Sequence, residues 1–248
     1  MTTLVLDLGN TNQKAAIFNN AELQSIIIVP ELRPDLLDSF IDQQATVKPF
    51  SCLMASVVPV EPSLVTYLTA NYRFAQLSYA MPLPITLNYQ TPETLGADRI
   101  AAATAISYRS PNQTSLSIIA GSCIIYDLVD KNKVYQGGAI SPGLEMRLKA
   151  LNTFSKKLPL VPLQPFDELT GATTHQSILS GVLNGIAFEI DGFIEHLKLK
   201  YPDINVFVSG GDLNYFDKRL KNNIFAVPNL VLEGLNKILL FNENQLSV

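Results

Sequence analysis

The sequence predicts an α/β fold composed of two related units that face one cleft. Strand patterns dominate the first part of the chain, and strands then alternate with helical segments. From about residue 115, a second series of strand, small-residue turn, strand and hairpin resembles the first. The break at Pro111 and Asn112 separates the two series, so we expect an N-terminal domain at 1–111 and a C-terminal domain at 112–248.

The N-terminal domain opens with a predicted strand, a tight turn and a second strand. Apolar residues 4–6 and 15–18 flank a polar segment that contains one glycine and one lysine. Glycine lets a ligand approach the backbone closely, and lysine supplies a positive charge for phosphate. The segment is either a phosphate-binding hairpin or a hairpin in which the Gly-Asn pair serves only the turn. It consists of Asp7, Leu8, Gly9, Asn10, Thr11, Asn12, Gln13 and Lys14.

Further elements complete the first series. The patterns predict a strand at 23–29, a helix at 35–44, a buried strand at 53–58 and a helix at 62–70. Prolines then break the chain into loops, and an alanine-rich segment from Ile100 onward predicts another helix. Asp98 and Arg99 lie at this junction of loop and helix. An aspartate in this position is either a helix cap or a functional carboxylate.

The second series begins with three predicted strands, at 115–120, 124–129 and 134–138. The turn after the first of them is Gly121-Ser122-Cys123. A Gly/Pro loop at 137–144 then leads into a predicted helix at 145–151. The exposed amides at the start of that helix either bind an anion or have no ligand.

A long helix is predicted at 175–200, and Thr174 is a candidate for its N-terminal cap. Apolar residues at spacings of three or four predict its buried face, namely Ile178, Val182, Ile186, Ile190, Phe193 and Leu197. A strand at 206–208 ends in the turn Ser209-Gly210-Gly211-Asp212, whose glycines either admit a flat ligand or only reverse the chain. An apolar helix is predicted at 229–241.

Composition narrows the classes of partner. The net charge of -4 and the pI near 5.2 argue against nucleic acid, whose backbone attracts clustered lysine and arginine. No uninterrupted apolar run approaches the roughly 18 residues of a membrane span, so we expect no membrane partner. Cys52 and Cys123 lack zinc-site spacing and lie far in sequence from both histidines, which predicts free thiols in a reducing compartment. We therefore expect a cytoplasmic protein.

The motifs gain specificity from their order. A DxGNTxxK hairpin, SVVP, YxxPxxLGADR, a Gly-Ser turn, GGAISPG, a Gly-x-x-Thr before a long helix, and SGGD follow one another over about residues 4 to 240. In this order they resemble type III pantothenate kinase, from the superfamily that includes acetate and sugar kinases, Hsp70 and actin. The resemblance implies two ribonuclease-H-like domains with mixed sheets flanked by helices. It also implies that ATP phosphorylates the 4'-hydroxyl of pantothenate, the first step of coenzyme A synthesis, in a homodimer.

The resemblance also implies roles for individual residues. The segment from Asp7 to Lys14 and the hydroxyl of Ser122 would bind ATP. Asp98 would be the general base, since a carboxylate can orient an alcohol and accept its proton. Mg²⁺ would accompany ATP, because phosphoryl transfer depends on positioning and charge neutralisation. Thr174 would line the substrate pocket, from its own or the partner subunit, and the other pantothenate-binding residues would be Tyr89, Gly96, Ala97, Asp98 and Arg99.

Two departures from the family pattern lie at the second phosphate loop. Ile119 replaces the aspartate that helps to bind a monovalent cation in the family, and Ile125 replaces a threonine. The family leads us to expect K⁺ or NH₄⁺, whereas an isoleucine offers no oxygen ligand; we therefore expect activity without K⁺ or a relocated cation site. The alternative function is a nucleotide-binding regulatory protein with weak or no kinase activity. A kinase for another small alcohol is disfavoured by Tyr89 and the LGADR motif.

Overall fold

The computed structural model describes residues 1–216 and 219–246 and contains two mixed β-sheets. The first sheet is formed by β1 (Thr2–Leu8), β2 (Gln13–Asn19), β3 (Glu22–Val29), β4 (Ser51–Ser56) and β5 (Arg73–Gln76). Its spatial order is β3-β2-β1-β4-β5, with β1 to β3 antiparallel and β4 and β5 parallel to β1. Two helices belong to this part of the chain, α1 (Pro34–Gln44) and α2 (Pro62–Asn71).

The apolar alternation along β1 explains its central position. Leu4, Leu6 and Leu8 point to one face of the sheet, where they share a buried cluster with residues of α1 and α2. Val5 points to the other face and belongs to a second buried cluster. A strand that is covered on both faces reads as a nearly continuous apolar run, as residues 4–6 do.

The second sheet repeats the topology of the first. Its strands are β6 (Thr86–Leu87), β7 (Ser115–Ala120), β8 (Cys123–Val129), β9 (Val134–Pro142), β10 (Asn205–Ser209) and β11 (Phe225–Ala226). The order is β11-β10-β7-β8-β9-β6, and the pairing senses of β7 to β11 match those of β1 to β5. This repetition confirms the predicted α/β fold with two related sheets.

Two helices lie between the sheets, α3 (Ala97–Arg109) and α7 (Leu230–Leu246). Helix α3 contacts β7 and β8, whereas α7 returns from the C-terminal part of the chain to contact β1 and β4. The helices cross closely at Gly234, where an added Cβ would lie 1.8 Å from the carbonyl oxygen of Ala101. Strand β6 pairs with β9 of the second sheet, and α7 packs against the first sheet. Both elements therefore contact the sheet on the other side of the predicted boundary at 111 and 112. The division into domains 1–111 and 112–248 stays a prediction.

The outer face of the second sheet packs against α5 (Thr174–Lys200), which follows α4 (Leu144–Phe154); the short helix α6 (Leu213–Phe216) comes later. Helix α5 is long and apolar enough to cross a membrane by composition, but 56% of its most apolar window is buried within the protein. A core helix shows this burial. The predicted buried position Phe193 is wrong: its side chain is 38% exposed and stacks on Tyr126, while Ile194 is buried instead.

Other predicted elements differ in their bounds. Strand β9 runs to Pro142 through the segment predicted as a Gly/Pro loop, and β5 was not predicted. Helix α3 begins at Ala97, so Asp98 lies inside its first turn. The N-cap of α5 is Thr173, whose hydroxyl accepts a hydrogen bond from the backbone N–H of Gln176, so the prediction of Thr174 as the cap is wrong.

Candidate active site

The predicted phosphate hairpin joins β1 to β2 and borders a small cavity between the two sheets. Asp7 and Lys14 are cross-strand partners in this hairpin, and together with Gly9 they line the cavity, whose volume is about 110 Å³. Burial raises the pKa of Asp7 to about 6; the Lys14 ammonium acts in the opposite direction, and the Asp98 carboxylate raises it further. The cavity wall therefore includes one positively charged side chain, that of Lys14, and the Asp7 carboxylate, which takes up a proton more readily than an exposed aspartate.

Asp98 reaches the same cavity from the first turn of α3. Its Oδ1 atom accepts a hydrogen bond of 2.9 Å from the backbone N–H of Arg99. Burial raises the pKa of Asp98, although this hydrogen bond and the Arg99 charge act against the shift. The N-cap of α3 is Gly96, so Asp98 is a first-turn acidic residue and not the cap itself. A partly buried carboxylate with a raised pKa is suited to accept a proton.

The two predicted phosphate loops meet at their hydroxyl groups. Thr11 Oγ1 of the first loop lies 3.0 Å from Ser122 Oγ of the second, at hydrogen-bonding distance. Both residues are exposed. The backbone carbonyl of Ser122 accepts a hydrogen bond of 3.1 Å from the N–H of Gly143, which anchors the second loop to the start of α4. Two hydroxyls at one point can both donate to the phosphates of a nucleotide.

Arg99 is part of a buried polar cluster beside Asp98. Its Nε and Nη2 atoms lie 2.9 and 2.7 Å from Oδ1 of Asp127, a fully buried residue of β8, and the Tyr135 hydroxyl donates to the same oxygen over 2.8 Å. Burial raises the pKa of Asp127 to about 6, against the lowering effect of Arg99 and Tyr135. The guanidinium also lies 6.0 Å from the centre of the Tyr89 ring, within reach of a cation–π interaction.

The Gly-Gly pair of the GGAISPG motif borders this cluster, and its second glycine makes room for Arg99. Gly137 has a φ of +87°, and a Cβ there would lie 3.9 Å from the Tyr89 ring. At Gly138, a Cβ would fall 1.7 Å from the carbonyl oxygen of Tyr126 and 3.0 Å from Nη2 of Arg99. The two most specific motifs, LGADR and GGAISPG, therefore contact each other in the fold.

A phosphate hairpin and an aspartate with a raised pKa thus border one cavity, and Thr11 of the hairpin contacts Ser122 of the second loop. The sequence model for type III pantothenate kinase matches residues 3–196 of the chain. The chain belongs to this family. A type III pantothenate kinase from Christiangramia forsetii is 42% identical over 98% of this chain and 99% of its own length.

Solved structures show the same fold at lower sequence identity. A crystal structure from Campylobacter jejuni, described as a Baf family transcriptional activator, aligns with a TM-score of 0.57 and 24% identity over 97% of this chain and 99% of its own. The activator of the 2-hydroxyisocaproyl-CoA dehydratase from Clostridium difficile, with bound ADPNP, aligns with a TM-score of 0.54 and 14% identity over 100% of this chain and 98% of its own. Both structures share the α/β fold of this chain, and at these identities the likeness concerns the fold alone.

Not every residue predicted to bind ATP points into the cavity. The side chain of Leu8 is buried in the core of the first sheet. Gln13 accepts a hydrogen bond of 2.7 Å from the N–H of Leu32 through its side-chain oxygen, so its amide holds the chain after β3. Asn10 and Asn12 are exposed in the turn.

The residues predicted to bind pantothenate fall in two places. Gly96 and Ala97 start α3 beside Asp98 and Arg99, and Tyr89 contacts Arg99. Thr174 is exposed in a separate groove between α4 and α5, with a volume of about 880 Å³. This groove shares no lining residue with the cavity at Asp98. Within one chain, Thr174 therefore lies outside the site that contains the other residues.

Sequence reasoning left the turn after β10 open between a ligand site and a chain reversal, and it did not identify Asn229. Ser209 and Gly210 at the end of β10, and Asn229 before α7, line the cavity opposite the phosphate hairpin. Gly210 has a φ of +105°, and a Cβ there would fall 2.0 Å from the carbonyl oxygen of Ala120. The SGGD motif was the signal in the sequence for Ser209 and Gly210. Its Asp212 has a pKa raised to about 6 by burial and by nearby Glu145.

Two residues of the cavity, Asp7 and Ile119, bear on the cations that the family resemblance implies. Residues 1–216 and 219–246 contain no group of three or more His, Cys, Asp or Glu placed to hold a metal ion. Mg²⁺ in kinases commonly uses one or two carboxylates together with phosphate oxygens, and Asp7 is placed to provide such a carboxylate. Ile119 presents only hydrocarbon to the cavity, beside Val57, so this position does not fit the family's K⁺ or NH₄⁺.

Proposed function

We propose that this chain transfers the γ-phosphoryl group of ATP to the 4'-hydroxyl of pantothenate, giving 4'-phosphopantothenate for coenzyme A synthesis. The observation that carries the proposal is the convergence of Asp7, Lys14 and Asp98 on one cavity. Membership of the type III pantothenate kinase family supports the same substrates.

Asp98 is the proposed general base. The 4'-hydroxyl is a weak nucleophile at neutral pH, and a carboxylate within hydrogen-bonding reach both orients it and accepts its proton as the bond to phosphorus forms. The partial burial that raises the pKa of Asp98 also strengthens its affinity for that proton. The adjacent Arg99 is proposed to bind the pantothenate carboxylate, because its Nη1 atom has no partner in the described part of the chain.

The phosphate groups of ATP are proposed to lie over the hairpin that joins β1 and β2. Lys14 supplies positive charge there, and the paired hydroxyls of Thr11 and Ser122 supply hydrogen bonds. Mg²⁺ bound with ATP would neutralise charge on the phosphates, with Asp7 as the protein group that holds it. No monovalent cation is required in this proposal, because Ile119 offers no ligand.

A homodimer would explain the position of Thr174. The groove around Thr174 exposes large apolar side chains, and Phe154 at its rim is 88% exposed. If a partner subunit covered this groove, Thr174 could reach the substrate bound in that partner. We further propose a cytoplasmic enzyme without nucleic acid or membrane partners, in keeping with its negative charge.

The direct test is a reaction of ATP, Mg²⁺ and pantothenate with product identification by mass spectrometry. The proposal expects ADP and 4'-phosphopantothenate in equal amounts. ATP binding without product would instead favour a nucleotide-binding regulatory protein, an alternative that the apolar Ile119 and Ile125 in the second phosphate loop would then explain. Turnover of other small alcohols in preference to pantothenate would contradict the substrate.

A further inference from the structure

We infer that Asp127 and Tyr135 are positioning residues that fix the Arg99 guanidinium, and that this fixed orientation makes the site selective for a carboxylate-bearing substrate. The inference rests on the proposed function. The inference explains how the structure recognises the acidic end of the substrate. Neither residue is expected to touch the reacting atoms.

All three donors of the cluster converge on one oxygen atom. Arg99 Nε, Arg99 Nη2 and the Tyr135 hydroxyl lie 2.9, 2.7 and 2.8 Å from Oδ1 of Asp127. One edge of the guanidinium is therefore fully committed to the protein. The Nη1 atom is the end of the planar group that remains, and among residues 1–216 and 219–246 the guanidinium bonds to Asp127 only through Nε and Nη2. A planar fork held along one edge presents the other edge in a single direction.

Burial makes this orientation rigid. Arg99 is 7% exposed and Asp127 is fully buried, so neither side chain can exchange its partner for water. Loss of one member would leave an unpaired buried charge, which costs several times more than loss of an exposed ion pair. A buried ion pair contributes little stability over apolar residues of similar volume, whereas it does fix the direction of its groups.

The cluster also connects to the substrate side of the site. The Tyr135 and Tyr89 rings lie with centroids 5.8 Å apart, and Tyr89 faces the Arg99 guanidinium. Gly138 provides the space in which Nη2 of Arg99 lies, and Gly137 borders the Tyr89 ring. Asp127 on β8 and Tyr135 on β9 therefore fix the positions of Arg99 and Tyr89.

The experiment compares two substrates that differ only at the acidic end. Pantothenate and pantothenol, in which a primary alcohol replaces the carboxylate, are tested with the wild type, Asp127→Asn and Tyr135→Phe. Both kcat/KM and equilibrium binding by calorimetry are measured. We expect the wild type to prefer the acid, and Asp127→Asn to reduce that preference by at least about tenfold through a higher KM for pantothenate. The preference of Tyr135→Phe should fall by about threefold, because one of three hydrogen bonds is lost.

A structural role alone would give a different pattern. Asp191→Asn is the matched control, since Asp191 is also buried and accepts hydrogen bonds from the backbone N–H groups of Lys221 and Asn222. This variant should lower Tm without changing the preference for the acid. An unchanged preference in Asp127→Asn with lowered Tm would overturn the inference. If Asp127→Asn does not fold, an unchanged preference in the nearly isosteric Tyr135→Phe would do so.

The two proposals fail in different ways. A wild type that neither phosphorylates nor binds pantothenate would contradict the proposed function and the inference with it. A wild type that phosphorylates pantothenate and pantothenol equally well would leave the kinase intact and overturn only the recognition by Arg99. Equilibrium binding of the two compounds tests the recognition by Arg99 even where turnover is slow.

Discussion

Asp7 at the end of β1 and Asp98 in the first turn of α3 face one cavity, and the charge of Asp98 contributes to the raised pKa of Asp7. Lys14, the cross-strand partner of Asp7, acts in the opposite direction. Two carboxylates and one ammonium group are thus coupled before any substrate binds. This arrangement is unfavourable at neutral pH because burial disfavours the charged form of Asp7, and the Mg²⁺ and phosphate of the proposed reaction would change the balance.

The raised pKa of Asp7 predicts a pH-dependent stability. The native state, with a pKa of about 6, holds the Asp7 proton more tightly than the unfolded state, whose pKa is near 3.8. Asp7 therefore favours folding below about pH 4, and this contribution is lost as pH rises through 6. Relative to Asp7→Asn, the free energy of unfolding of the wild type should fall by on the order of 1–3 kcal/mol between pH 4 and pH 7.

Urea unfolding at both pH values, without nucleotide or Mg²⁺, measures this difference. Asp203→Asn, at an exposed position, is the control and should follow the wild type. Parallel stability curves for the wild type and Asp7→Asn would show that Asp7 is not perturbed in the folded protein.

Lys14→Gln should impair the use of ATP more than the use of pantothenate. Lys14 lines the cavity beside the phosphate hairpin, and its removal takes away a positive charge without a change at Tyr89 or Arg99. We expect the KM for ATP to rise by about tenfold or more and the KM for pantothenate by less than about threefold. Lys48→Gln, on the exposed surface, is the matched control. A larger effect on pantothenate would contradict the placement of ATP.

Ile119 predicts that the reaction rate does not depend on K⁺. Rates in potassium chloride and in tetramethylammonium chloride at equal ionic strength should agree within about twofold, because no oxygen ligand is present at Ile119. Ile119→Asp should acquire potassium dependence, since an aspartate at this position restores a ligand on the cavity wall. Strong potassium dependence in the wild type would disprove the prediction and require a cation site elsewhere.

The position of Thr174 predicts complementation between subunits. Asp98→Asn and Thr174→Arg should each be inactive alone. If Thr174 serves the site of the partner subunit, then co-refolding the two variants should restore about a quarter of wild-type activity, because half of the dimers carry one intact site of two. No recovery, with dimers still present by light scattering, would place Thr174 in the site of its own chain.

Local patterns predicted the elements that depend on neighbours in the chain. The alternation at residues 4–6 and 15–18 predicted the first hairpin, and the spacing of apolar residues predicted α5. Gly137, Gly138 and Pro142 suggested a loop because these residues commonly form turns. In the fold they lie in β9, where the absent side chain of Gly138 leaves room for Arg99.

The rest of the site depends on contacts between distant segments. The engagement of Arg99 by Asp127 joins α3 to β8, and Ser209 and Asn229 reach the cavity from the far end of the chain. No periodicity in the sequence records these contacts. The choice of Thr173 over Thr174 as the cap of α5 depends on a backbone conformation, with φ of -131° and ψ of 161° at Thr173, that two adjacent threonines do not reveal.

The most direct test of the account is the rate of phosphoryl transfer to pantothenate by Asp98→Asn, measured in a single turnover with saturating ATP and Mg²⁺. Asparagine keeps the shape of the side chain but cannot accept the proton of the 4'-hydroxyl. We predict a rate at least about 100-fold below that of the wild type, with ATP affinity within about threefold. An unchanged rate would remove Asp98 as the general base and contradict the proposed mechanism.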